Sequence, residues 1–301
     1  MATAETLDLH YAGRPGLISA FLVPTGDGGF VLLDTGPASL LMALEQEIEA
    51  AGYPLTALKA VLLTHIHLDH AAAAGTLARR TGCQVWVHPA GAFHMENPES
   101  KLLPSARRIY GDRLEMQWGV MEGVPGHVLH TVVHGEPILI GDLTAVGWHT
   151  PGHARHHVAW QVGDSVATGD VAGVRLQGTN HVLPPMPPPD IDVPTWLASI
   201  DLVRELEPAH LLLTHFGSYD DPGPHLDQLA RRLKHWSDVA GKVLGEGGDS
   251  EELERRLIEL DHSERPAEGI PDDLDEGFQE ICPMADNAAG LHRWATKQPR
   301  V

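Results

Sequence analysis

Residues 64–70 read Thr64-His65-Ile66-His67-Leu68-Asp69-His70, or THIHLDH, so three histidines and an aspartate fall within six consecutive positions. The run before them, AVLLT (60–64), is apolar and reads as a buried strand. A strand that ends by turning four polar side chains inward must satisfy them with one another, with water or with a metal, because uncompensated burial costs several kcal/mol. Residues two apart in an extended segment face the same side, so His65 and His67 share a face and Asp69 continues the alternation. His70 follows where a helix begins, and the turn pairs it with Asp69, pointing away from the first two histidines. One short segment then offers two half-sites side by side. The alanines of AAAAG (71–75) let that helix start close to the site without crowding it.

Outward from this segment, residues 30–90 alternate strand and helix. GGFVLLDTG is a strand, ASLLMALEQEIEAAG a helix stopped at Gly, ALKAVLLT a strand, DHAAAAGTLARRTG a helix and CQVWVH a strand. A β-α-β-α-β order means helices covering a sheet. Residues 1–35 alternate as antiparallel strands, with LISAFLVPT and GGFVLLDTG around a GDGG turn. Further strands are expected at PILIGD, LTAVGWHT, HHVAWQVG, SVATGD and HLLLTHFG, with a helix at TWLASIDLVRELE. Residues 90–126 carry Met, Tyr and Trp among charges at helical spacing, as an amphipathic helix pair or a lid inserted between strands. After about residue 225 the chain reads as helix only. The expected organisation is therefore an α/β domain over 1–225, with 90–126 as a helical lid insertion, and a C-terminal helical extension over 226–301 that carries little functional information.

The totals narrow the function classes. The chain has 301 residues, 43% of them hydrophobic, enough for a sizeable core. A net charge of −20 repels phosphate backbones, so no nucleic-acid partner is expected. The acidic stretch 246–279 reads as a solvated helical face. Two cysteines, Cys83 and Cys282, show no paired spacing, which suits a reducing compartment. The N-terminal segment has no apolar core of a signal peptide and no stretch reaches a membrane span, so a cytoplasmic location without membrane contact is expected. The unusual total is 20 histidines beside 21 Lys plus Arg.

Three other stretches offer donors at strand ends beside a glycine: His153 in TPGHARHH, Asp170 in VATGDV and His215 in LLLTHFG. Neutral imidazoles leave a cation's charge uncompensated, and a carboxylate can bridge two ions. One expected set is His65, His67 and His153; the other is Asp69, His70 and His215; Asp170 joins them. Asp34 in LLDTG either orients the ligand strand or is a turn aspartate. Thr64 either ties that strand down or is simply a β-branched strand residue.

The pattern H-x-H-x-D-H, then His, Asp and His, each at a strand end, together with Asp34, resembles the metallo-β-lactamase superfamily over roughly residues 15–220. The resemblance implies an αββα four-layer sandwich with metals at one edge. His157, four after His153, is similar to a structural histidine of that family. The implied activity is metal-dependent hydrolysis of a small-molecule ester-type substrate (thioester, lactone or phosphoester) by a hydroxide bridging two ions, with Asp69 orienting it and passing on its proton. The donors hold no thiolate; zinc is the first expectation, and iron or manganese suits the same set. Persulfide dioxygenases, which use one iron, are similar in the same segment and form the alternative; an inactive binding protein on the same fold is a third reading. Tyr110, Arg175 and His181 are expected substrate contacts. His88, His94, His127, His130, His134 and His149 are expected to be non-ligands. Monomer and homodimer both remain open.

Overall fold

Apolar strands, the central ones buried on both faces, build two sheets that share a core. The chain is described over residues 4–265 and 269–298 in a computed structural model. The first sheet takes its strands in chain order: β1 (Glu5–Asp8), β2 (Ser19–Pro24), β3 (Phe30–Leu33), β4 (Leu58–Leu62), β5 (Gln84–Val87) and β6 (Leu129–Thr131). β1 to β3 pair antiparallel, whereas β3 to β6 pair parallel. The second sheet contains β7 (Pro137–Ile140), β8 (Leu143–His149), β9 (Val158–Val162), β10 (Ser165–Ala167), β11 (His210–Leu213) and β12 (Gly217–Tyr219), in the order β12-β11-β10-β9-β8-β7. Only β10 and β11 pair parallel there.

Phe21, Val23, Val31, Leu33, Ala60 and Leu62 of the first sheet face Ala145, Val158, Trp160, Val162, Ala167 and Leu212 of the second. Their chain neighbours Leu22, Leu32 and Val61 point the other way, as the two-residue period requires. On that outer face they join Leu44 and Ile48 of α1 (Leu41–Ala50) and Leu77 of α3 (Ala74–Thr81). A single four-residue turn of helix, α2 (Leu68–Ala71), precedes α3, so the expected helix after Asp69 is broken in two. Trp160 ties the sheets together, its indole N–H donating to the Leu63 carbonyl at 2.9 Å.

Residues 89–118 form three helices: α4 (Pro89–Glu96), α5 (Leu102–Tyr110) and α6 (Leu114–Trp118). The second sheet's outer face is covered by α7 (Val193–Glu205) and α8 (Pro222–Gly245) through Trp196, Ile200, Leu229 and Leu233. After α8 come α9 (Ser250–Glu264), α10 (Asp272–Ile281) and α11 (Met284–Thr296); α9 and α11 pack on α8. The fold is therefore α/β, two mixed sheets with helices outside and a helical region after the sheets. Residues 266–268 of the acidic stretch lie outside the described residues. No helix of the described residues is long and apolar enough to cross a membrane.

Candidate metal centre

The loops that leave the ends of β3, β4, β8, β10 and β11 converge at one edge of the sandwich. They bring His65, His67, His153 and Asp170 together in one group, and Asp69, His70 and His215 in a second; within each group one donor atom per residue lies within 4.8 Å of the others. Asp170 faces both. Its Oδ2 lies 3.3 Å from His153 Nε2 and 3.9 Å from His65 Nε2, while Oδ1 lies 3.3 Å from His70 Nε2 and 3.6 Å from His215 Nε2. Asp69 Oδ2 is 3.3 Å from His215 Nε2 and 3.4 Å from His70 Nε2.

The imidazoles are held from behind. His153 Nδ1–H donates to the Pro185 carbonyl at 2.8 Å and His215 Nδ1–H to the Leu17 carbonyl at 3.0 Å. His70 Nδ1 pairs with Asp34 Oδ2 at 2.8 Å, and His65 Nδ1 with Thr64 Oγ1 at 3.1 Å. A proton on each Nδ1 leaves the Nε2 lone pair facing the centre. Asp34 also accepts from Thr64 N (2.7 Å), Thr64 Oγ1 (2.8 Å) and Thr214 Oγ1 (3.0 Å). Its backbone lies in the left-handed region at φ 57, so it is both the turn residue and the anchor of the ligand strand. His157 acts through the backbone: its Nε2 accepts from Asp170 N at 3.2 Å and its Nδ1 pairs with Thr150 Oγ1 at 2.9 Å.

Burial decides the charge state of the first group. It pushes His65 and His153 below the ordinary imidazole value, and His67 down to about 4, so all three are neutral donors. In the second group burial pulls the same way, but Asp69, Asp170 and Asp34 outweigh it at His70, and Asp69 and Asp170 outweigh it at His215. Burial alone would raise Asp69 and Asp170; the surrounding imidazoles hold both well down in the ionised form. His65 Nε2, His70 Nε2 and Asp170 Oδ1 are fully buried with no hydrogen-bond partner. Seven other buried side-chain atoms among the described residues also lack a partner, but these three, two imidazole nitrogens and a carboxylate oxygen, meet at one place and fit divalent cations as their missing partners.

The centre opens into a cavity of about 1460 Å³ that His67, Asp69, Asp170 and His215 help to line. Tyr110, expected as a substrate contact, lines it too, together with Trp118 and Tyr11, whose rings stack at 5.7 Å. Arg175 and His181 are corrections. Neither lines the cavity. Arg175 is buried under Tyr219 and bonded to Asp221 and Asn180; His181 donates to Asp261 in α9 at 2.8 Å beside Arg232. The loop that carries them is covered by the C-terminal helices, which a local reading of the sequence does not supply. His88, His127, His130, His134 and His149 stand outside both groups and the cavity, and His94 reaches only the cavity wall.

The sequence reading missed three features. His156 lines the cavity with its ring edge-on to His67 at 5.5 Å; it sits in HARHH, where its two neighbours drew the attention. Pro185 and Pro187–Pro189 wall the cavity. The C-terminal helices, expected to be uninformative, contribute Glu280, Cys282, Asp286 and Asn287 to it. Asn287 Oδ1 accepts from Met186 N at 2.7 Å, next to the carbonyl that orients His153, and α11 approaches so closely at Gly290 that a Cβ there would strike the Met186 carbonyl.

Comparison with known proteins agrees with this architecture. ST1585, a metallo-beta-lactamase fold-containing protein of Sulfurisphaera tokodaii, is 28% identical over 204 residues, 66% of this chain and 75% of that one. The crystal structure of ST1585 superposes with a TM-score of 0.67 at 21% identity, covering 97% of this chain and 98% of that one. A metallo-beta-lactamase family protein of Thermus thermophilus, TTHA1429, gives a TM-score of 0.67 at 20% identity over 97% and 92%; at these identities the likeness speaks for the fold alone. The profile of the metallo-beta-lactamase superfamily matches residues 13–215, which takes in every donor of both groups. With most of its length inside that match, the chain belongs to the metallo-beta-lactamase superfamily.

Proposed function

We propose that the chain is a metal-dependent hydrolase of a small ester-type substrate, a thioester, lactone or phosphoester, working with two divalent ions. The observation that carries this reading is the doubled donor set: two groups, each with its donor atoms within 4.8 Å of one another, one carboxylate facing both, and orphaned buried donor atoms in each. His65, His67 and His153 would hold one ion, Asp69, His70 and His215 the other, and Asp170 both. Zinc suits nitrogen and oxygen donors of this kind, as do iron and manganese. Bound divalent ions supply Lewis acidity and a water of lowered pKa.

The chain's own residues do the rest. Asp69 is ionised and lines the cavity, so its carboxylate is the group placed to accept a proton from the attacking water and return it to the leaving atom. His65, His70, His153 and His215 are fixed through Nδ1 and spend no reorganisation during turnover. The cavity admits one small molecule with room to spare. A mononuclear iron dioxygenase would need only two histidines and an aspartate, and one of the two groups would then be superfluous. Thioester, lactone, phosphodiester and β-lactam substrates offered to protein loaded with zinc, manganese or iron test the reading. Cleavage of one bond type is expected; oxygen uptake with a persulfide and no hydrolysis would overturn it.

A further inference from the structure

The cavity is far larger than the chemistry at its base requires, and its walls are of two kinds. One is apolar and aromatic: Tyr11, Trp118, Tyr110, Leu68 and Leu102, with Ile109 standing 50% exposed at the rim. The other is cationic. Lys101, Arg108 and Arg113, all on or beside α5 and α6, line the same cavity in a chain whose net charge is −20. Arg107, one position from Arg108, is clamped by both oxygens of Glu99 at 2.7 Å. Lys101, Arg108 and Arg113 have no carboxylate among the described residues within ion-pair distance. The carboxylates that share the cavity outside the metal centre are engaged or held back. Asp190 pairs with Arg155 and Glu280 with Arg14. Asp286 is raised by burial, against the pull of Arg113.

A cavity that joins an apolar wall to three cations without an ion-pair partner among the described residues selects for a ligand with the complementary halves. We propose that the substrate is an anionic amphiphile: an apolar acyl portion lies along Tyr11, Tyr110 and Trp118, its ester or thioester carbonyl reaches the metal centre, and a phosphate or carboxylate group is held by Lys101, Arg108 and Arg113. This rests on the hydrolase reading. It adds that α5 and α6 recognise the substrate by charge as well as by apolar contact, and it excludes neutral and cationic esters as preferred substrates.

The test uses one decanoyl thioester on three carriers: N-acetylcysteamine, which is neutral, 3-mercaptopropionate, which bears a carboxylate, and phosphopantetheine, which bears a phosphate. The full-length, metal-loaded chain is expected to cleave an anionic thioester with kcat/KM about tenfold or more above the neutral one, the effect of a few exposed ion pairs acting together. In K101A/R108A/R113A that ratio is expected to collapse to within about twofold, with most of the loss in KM. The phosphate and carboxylate arms separate the two anions. Equal rates on all three thioesters, or a preference that survives in the triple variant, would overturn the proposal. If no thioester is cleaved, the thioester form of the hydrolase reading fails on its own, and the charge proposal is read from binding of the uncleavable thioether analogues: tighter binding of the anionic ones, lost in the triple variant, upholds it, and equal binding overturns it.

Discussion

Asp34 shows what a single residue does for this site. Its carboxylate accepts four hydrogen bonds, from Thr64 twice, from Thr214 and from His70, and so binds β4, β11 and a metal donor to one point. Asp34→Ala leaves those buried donors without an acceptor, at a cost on the order of 3 kcal/mol. It also frees the His70 ring, which lowers metal affinity roughly 10–100-fold. Melting in chelator reads the first effect and calorimetric metal titration the second; an affinity equal to wild type would show that Asp34 is only a turn residue. His225 gives a pH signature away from the centre. Its Nε2–H donates to the Ala172 carbonyl at 2.7 Å, and burial takes the ring down to about 4. Between pH 6.5 and about 4 the unfolded chain binds that proton and the folded chain does not, so stability falls as the pH drops through this window. His225→Gln is expected to lose less melting temperature between pH 7 and pH 5 than wild type; parallel curves would contradict the assignment. The donors of the centre were legible in the sequence because each ends an apolar strand, a local signal. Arg175 and His181 were misread because their partners, Asp221 and Asp261, lie 46 and 80 residues away.

At the scale of elements, the outcome depended on whether packing was local. β3, α1, β4 and β5 follow the periodicity of their own sequence. β6 escaped notice because it is three residues long and paired only by its neighbour β5. The final helical stretch breaks into α10 and α11 at Cys282-Pro283, where proline opens the second helix. Tyr110→Ala and Trp118→Ala remove the aromatic wall built by α5 and α6, so KM should rise about tenfold while metal content and kcat hold; an unchanged KM with a lower melting temperature would make the wall plain packing. Asn287→Ala releases the loop that carries Pro185, so the His153 ring loses its fixed orientation and metal affinity should fall about tenfold. The cobalt-loaded protein should report the same change in its visible spectrum, and a spectrum identical to wild type would show that α11 has no hold on the centre.

For the molecule as a whole, two sheets supply the rigid base and the helices after them complete the site. The loop from Val174 to Asp192 runs between the metal centre and α8 to α11, and His181, Val182 and Met186 are each bonded to a C-terminal helix. The region that looked least informative in the sequence thus closes the cavity that the strand ends open. Asp170 faces both donor groups, and in the function proposed above it joins two ions into one catalytic unit. The metal content of wild type and Asp170→Ala, after loading and desalting, decides between one ion and two. Two ions per chain are expected in wild type, at most one in the variant, and no hydrolysis by the variant. One ion per chain in wild type, or a variant that keeps two ions and full activity, would contradict this role of Asp170.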